Sequence, residues 1–165
     1  MNPINAGFSS HWHHLGCCLA LLVGLSNEAV AQTAEVRFTY SAGGAEVSDA
    51  TTGLTWQRCS VGQIWHDGTC TGAASSHTHK QATTLINNKA SWRLPTVKEL
   101  ASLVDTSRSN PSIDISVFPA TPSDWFCTAS PYAGSASLAW YVGFAHGDTS
   151  PLNREQRRHV RLVRQ

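Results

Sequence analysis

Trp92-Arg-Leu-Pro-Thr-Val-Lys-Glu-Leu100 carries the strongest local instruction in the chain. Thr96 and Glu99 form a capping box, in which the Thr hydroxyl and the Glu carboxylate each satisfy a backbone donor left free at a helix start. Pro95 discourages an earlier beginning, and Asp105 to Pro111 supplies a stop. Val97, Leu100, Ala101, Leu103 and Val104 give the buried stripe between them. The helix is only about two turns long, so its stability must come from what it packs against. Trp92 is expected to plug the core and Arg93 to be an ion-pair partner. Glu99 is expected to be the capping carboxylate, not a catalytic acid.

Working outward, Lys80 to Lys89 sets Ala82, Leu85, Ile86 and Lys89 at helical spacing, which predicts a second short helix. Val36 to Tyr40 alternates like a strand. Gly43-Gly44 and the Asp49 to Gly53 stretch punctuate the approach to another at Leu54-Thr-Trp-Gln-Arg58, with Trp56 as a core residue. Ala73 to Thr78 is small and polar and reads as a loop. Beyond the helices, strands are expected at Trp125–Ala129, Ala139–Phe144 and His159–Arg164. Trp140, Val142 and Phe144 share one face of the second. In the third, Val160 and Leu162 share a face and Arg161 takes the other. His146-Gly-Asp-Thr-Ser-Pro-Leu-Asn153 is read as the loop joining these last two. The fold class is α+β, with two short helices packed on small antiparallel sheets.

The 165 residues leave 134 once a leader of 31 is removed, enough for one hydrophobic core. Hydrophobic residues at 41% and charged ones at 14% describe a folding chain and not a disordered tail. All 12 Lys and Arg lie beyond residue 31, against 10 Asp and Glu there, a net charge of +2 that suggests neither nucleic acid nor membrane as partner. The leader is read from the apolar run Leu15–Leu25 and the small-x-small pattern Ala29-Val-Ala31, so residues 1–31 are expected to be a signal peptide. Its n-region holds His11, His13 and His14 but no Lys or Arg. The run of 11 residues is too short for a spanning helix, which needs about 20. Cys17 and Cys18 open the run, whereas a lipidated cysteine would follow it.

Cysteine usage agrees with export. Cys59-Ser-Val-Gly-Gln-Ile-Trp-His-Asp-Gly-Thr-Cys70 is rich in turn residues and reads as a loop closed by a disulfide, worth about 2–3 kcal/mol. Cys127 is left over, most simply as a buried thiol.

A set of motifs then acquires a collective meaning. In order come Thr52-Gly-Leu-Thr-Trp-Gln-Arg58, the Cys59 to Cys70 loop with Trp65, Trp92 to Leu100, Phe118-Pro119, Ala129-Ser-Pro-Tyr-Ala133, Ala139 to Phe144 and Val160-Arg-Leu-Val-Arg164. Together they resemble the Lcl C-terminal domain family, found at the end of a bacterial collagen-like adhesin. The likeness runs from about residue 49 to the end. It divides the chain into a signal peptide (1–31), an N-terminal lead-in strand (32–48) and an Lcl C-terminal-like domain (49–165). Similar sequences tend to place a tryptophan where this chain has Cys127. The resemblance implies a C-type-lectin-like fold and a surface or exported protein, and the founding adhesin is associated with glycosaminoglycans and extracellular matrix. The chain has no Gly-X-Y run, so trimerisation through a collagen stalk is not implied. Nor does a fold name bring a sugar site with it. Asn110-Pro111-Ser112 lacks a flanking acidic residue, so no calcium and no other cofactor is expected.

The candidate contact surface is Arg154 to Arg164, where five arginines meet one glutamate, since guanidinium forks pair bidentately with sulfate or carboxylate. Arg154, Arg157, Arg158 and Arg161 are its core, with Tyr141, His146 and Asn153 as expected neighbours. The competing account is a strand edge whose arginines prevent pairing with other chains. The expected partner is an acidic or sulfated glycan or a surface protein, bound without catalysis in the periplasm, in the medium or at the cell surface. Position alone suggests another alternative, a retroelement-diversified lectin-like protein whose variable segment would be residues 141 to 159. A metal site or metalloenzyme is the rival class, motivated by Cys59, His66, Cys70, His77 and His79, although a Cys spacing of eleven is not that of a zinc finger. Formylglycine-generating-type oxidation needs paired reactive cysteines, and Cys127 stands alone. A Cys127 nucleophile beside His146 or His159 also lacks an ordering third group.

Overall fold

The structure, a computed structural model, describes residues 36–85 and 91–165. The expected signal peptide, and the part of the expected Lys80–Lys89 helix beyond Leu85, lie outside these residues. Strands β1 (Phe38–Tyr40), β2 (Glu46–Asp49), β3 (Leu54–Gln57) and β9 (Val163–Arg164) form one antiparallel sheet in the order β1-β2-β3-β9. Val47, Trp56 and Val163 stand in register across it, and all three are fully buried. Ser48 and Thr55 occupy the opposite face, their hydroxyls 3.3 Å apart. This period-two division between core and solvent fixes the register, because a slip of one residue would put Trp56 in water.

Strand β2 lies between the two turn stretches expected at Gly43-Gly44 and Asp49 to Gly53, sharing Asp49 with the second. It is held by the turn after it: the buried Asp49 carboxylate takes two hydrogen bonds from Arg37, one from the Thr51 amide and one from the Thr52 hydroxyl. Arg37 and the hydroxyl draw the Asp49 pKa below its ordinary value against the opposing effect of burial. The expected boundary between residues 48 and 49 falls inside this strand.

β4 (Ile64–His66) and β5 (Thr69–Thr71) make a small hairpin within the cysteine loop. A disulfide joins Cys59 to Cys70, with Cα atoms 5.4 Å apart. The third sheet has the order β6 (Trp125–Pro131), β7 (Leu138–Gly143), β8 (Asp148–Asn153), with an irregularity between Cys127 and Pro131. β8 corrects the reading of residues 146–153 as a loop, since six consecutive residues pair with β7. Pro151 is compatible with that strand because β8 lies at the sheet edge, where a missing N–H costs no ladder bond. The expected strand His159–Arg164 is regular only at Val163–Arg164.

Helix α1 (His79–Thr84) starts on a capping box not among the expected ones: the Thr78 hydroxyl accepts from Gln81 N, and the Gln81 side chain accepts from Thr78 N. Helix α2 (Val97–Ala101) starts on the expected one at Thr96 and Glu99. Leu100 buries fully against a core containing Trp56, Ile113, Phe126 and Phe144. A second cluster gathers Leu94, Cys127, Tyr141, Val160 and Leu162. Pro95 is buried, and its carbonyl accepts Ala129 N at 2.7 Å, tying the entry of α2 to β6. Trp92 is half-buried under the Arg164 guanidinium, so it caps the core and does not plug it. Trp140 is half-buried, edge-on to Tyr132.

Candidate functional site

The turn from Arg154 to Arg158 leaves β8 and runs alongside the segment that leads into α1. Asn153 starts it: its side-chain oxygen accepts Glu155 N at 2.9 Å, and its carbonyl accepts Gln156 N at 3.1 Å. Arg158 and His77 exchange backbone hydrogen bonds of 2.8 and 2.9 Å, and His79 N donates to Arg154 O at 2.9 Å. Arg157 donates to Gln81 Oε1 at 3.0 Å and to Ser76 O at 2.5 Å, while Arg154 Nε donates to Leu138 O at 3.0 Å. The turn is therefore stitched at several points to a helix start and to β7. The Thr78 to Gln81 capping box was the local sequence signal for that partner segment.

How the arginines are neutralised separates this turn from the rest of the molecule. Arg37, Arg93, Arg108 and Arg164 each pair with a carboxylate. Arg58 is buried with its donors on the carbonyls of Gly44, Ser116 and Val117. Among the described residues, Arg154, Arg157 and Arg158 have no carboxylate within ion-pair distance. Arg157 is exposed and the other two are half-buried.

Histidines line the same segment. His77 has Nε2 2.8 Å from the Ser75 hydroxyl, and burial, then Arg157 and His159, push its pKa down. His79 is buried with Nε2 3.0 Å from Thr128 O, and burial, then Arg154, lowers its pKa against the effect of that carbonyl. His159 has Nδ1 3.1 Å from Ser75 O and Nε2 3.8 Å from an Asp124 carboxylate oxygen.

Two expected contact residues are corrected. Arg161 is fully buried: it donates to the carbonyls of Gln57 and Arg58 and to the hydroxyls of Ser60 and Thr121, and its guanidinium lies over the Phe118 ring at 4.8 Å. Burial pushes its pKa down to about 9. Tyr141 is also fully buried, and desolvation chiefly raises its phenol to about 12. Neither can touch a ligand in solution. His146 is exposed, but it sits where Gly143 pairs with Asp148, whereas Asn153 pairs with Leu138 at the other end of the same hairpin. The structure thus assembles Asn153, Arg154, Arg157 and Arg158 and leaves His146 apart from them.

The other cysteine and histidine candidates also separate. The disulfide removes Cys59 and Cys70 as thiolate ligands, and His66, on the small hairpin, lies 3.1 Å from Asp67. Burial drives the Cys127 thiol up to about 12, the opposite of what a nucleophile needs.

Residues 45–164 match the Lcl C-terminal domain, and the chain belongs to that family. Neither a curated protein nor a solved structure matches the chain. Among the described residues no helix is long and apolar enough to cross a membrane.

Proposed function

We propose that the protein is an exported, non-catalytic binding module of C-type-lectin-like architecture that recognises sulfated or acidic glycans through the turn Arg154–Arg158. The observation that carries this reading is the three guanidiniums left without carboxylate partners among the described residues, while every other arginine of the chain is committed to a carboxylate or to buried acceptors. Guanidinium forks suit sulfate and carboxylate because two parallel N–H donors match two oxygens. Membership of the Lcl C-terminal domain family and the Cys59–Cys70 disulfide support a location outside the reducing cytosol.

Binding of the full chain to heparin and to its desulfated form, in low and high salt, tests the reading. Retention of the sulfated form that weakens with salt and drops severalfold in Arg157→Ala is expected. If the wild-type protein binds neither form at low salt, the arginine turn is not an anion surface.

A further inference from the structure

A concave surface lies beside the disulfide, built from other residues than the arginine turn. The cleft has a volume of about 370 Å³ and is bordered by Glu46, Gln57, Ser60, Val61, Trp65 and Leu162, among others. That is the lower part of the range used by small-molecule sites, roughly 300–1,000 Å³.

Its aromatic wall is fixed from several sides. Trp65 pairs across the hairpin with Cys70, and the disulfide holds that hairpin to Cys59 just beyond β3. The Arg58 guanidinium covers the indole at 4.0 Å, with Tyr40 also against that guanidinium at 4.4 Å. All of Arg58's donor nitrogens are spent on carbonyls, so it is a fixed plate and not a mobile cation. Gly44 adopts φ +69°, and a Cβ there would sit 3.0 Å from the indole ring, so only glycine lets the turn approach so closely. Despite these restraints Trp65 remains partly exposed on the cleft.

The polar groups at the cleft are of two kinds. Gln63 is spent on its own loop, accepting from Ser60 N and donating to Ala120 O at 3.0 Å each. Glu46 gives Oε2 to Arg164 at 2.7 Å, which leaves Oε1 as an acceptor, and the Gln57 amide makes no hydrogen bond among the described residues. The cleft therefore offers the exposed part of a rigid indole, one carboxylate acceptor and one amide that both donates and accepts. Among the described residues no cation lines it, and an anionic ligand would meet the Glu46 carboxylate.

We propose that this cleft is a binding site for a neutral saccharide, whose C–H groups pack on the exposed part of the Trp65 indole and whose hydroxyls bond Glu46 and Gln57. An uncharged pyranose combines an apolar face with hydroxyls that donate and accept, which matches this set of groups. The rigidity of Trp65 reduces the ordering cost of binding, the usual advantage of a preorganised aromatic anchor. The site is independent of the arginine turn, and its binding is insensitive to salt.

Titration of the full chain with uncharged trisaccharides, chitotriose and maltotriose, followed by NMR at the Trp65 indole N–H, tests the proposal. The expected result is saturable binding of one of them in low and high salt alike, weakened at least tenfold in Trp65→Ala. Should that variant lose its fold, Gln57→Ala is expected to weaken binding severalfold while keeping the wild-type melting temperature. The proposal is overturned if neither trisaccharide shifts the Trp65 resonance, or if a folded Trp65→Ala or Gln57→Ala protein binds as wild type does. Heparin binding is read separately, so failure here and failure of the arginine turn are distinct results.

Discussion

Glu99 holds Arg93 with both carboxylate oxygens, at 2.7 and 2.8 Å, while one of those oxygens also accepts the backbone N–H of Thr96 at 2.7 Å. One side chain therefore caps α2 and ties it to the strand-like segment before it, where Arg93 exchanges backbone bonds with Val163. The Arg93 guanidinium, first, and the Thr96 amide draw the Glu99 pKa down to about 2 against the opposing effect of burial. Because the folded state depresses this pKa, the stabilisation is complete above the ordinary glutamate range and is lost as pH falls toward about 2. Glu99→Gln should lower stability by about 1–2 kcal/mol at neutral pH and flatten the acid limb of a denaturation profile. An unchanged acid limb would show that the pair contributes little.

Arg161 predicts the opposite of a surface arginine. Arg161→Met keeps an unbranched apolar stem but strands the carbonyls of Gln57 and Arg58, which should cost about 2–4 kcal/mol. Arg157→Ala should change stability by less than about 0.5 kcal/mol. Urea denaturation of the two variants side by side checks the assignment of one to the interior and the other to the surface.

The disulfide closes a sequence separation of 11, for which reduction should cost about 2–3 kcal/mol. Thermal melts with and without reductant measure this. The β4–β5 hairpin should lose amide-exchange protection first, because it is the element the bond holds in place. Equal melts would mean the loop is held by its other contacts.

Cys127 is fully buried, with its thiol pushed up to about 12. Iodoacetamide at mildly alkaline pH should leave it unlabelled in the native protein and label it fully in denaturant, as read by mass spectrometry. Rapid native labelling would place the thiol at the surface.

His77 and His79 have depressed pKa values, so the folded protein takes up fewer protons than the unfolded chain as pH falls below the ordinary imidazole value of about 6.5. Stability should decline through that window. A polyanion on the arginine turn would offset the repulsion from Arg157 and Arg154, so its affinity should rise as pH falls through the same range. His159 and Asp124 also face this region, so His77→Asn should reduce the slope of heparin affinity against pH without abolishing it. A slope unchanged in His77→Asn would assign the dependence to other groups.

The parts of this fold that were legible are those with local causes. The α2 start follows from Thr96 and Glu99 alone, and the cysteine loop follows from two residues and the turns between them. β8 was illegible because an edge strand with a half-exposed, Pro-containing pattern lacks the alternation that marks a strand with one buried face. Arg161 was misread for a different reason. Its neighbours Val160 and Leu162 are buried, which by alternation sends Arg161 to solvent, yet the carbonyls of Gln57 and Arg58 and the Thr121 hydroxyl cover its side as well. Those partners are remote in sequence, so composition could mark the arginine cluster but could not sort its members into surface and interior.

The sheet that contains β3 is completed by the last strand, Val163–Arg164, and not by a neighbour in sequence. A chain emerging from its N-terminus thus carries Trp56 and its strand with one side open until Val163, far along the sequence, has appeared. Long-range closure of this kind delays native structure, because the loop entropy must be overcome before the contacts form. Arrival of β9 is therefore the event that lets the domain lock, and a copy still without it stays pliable.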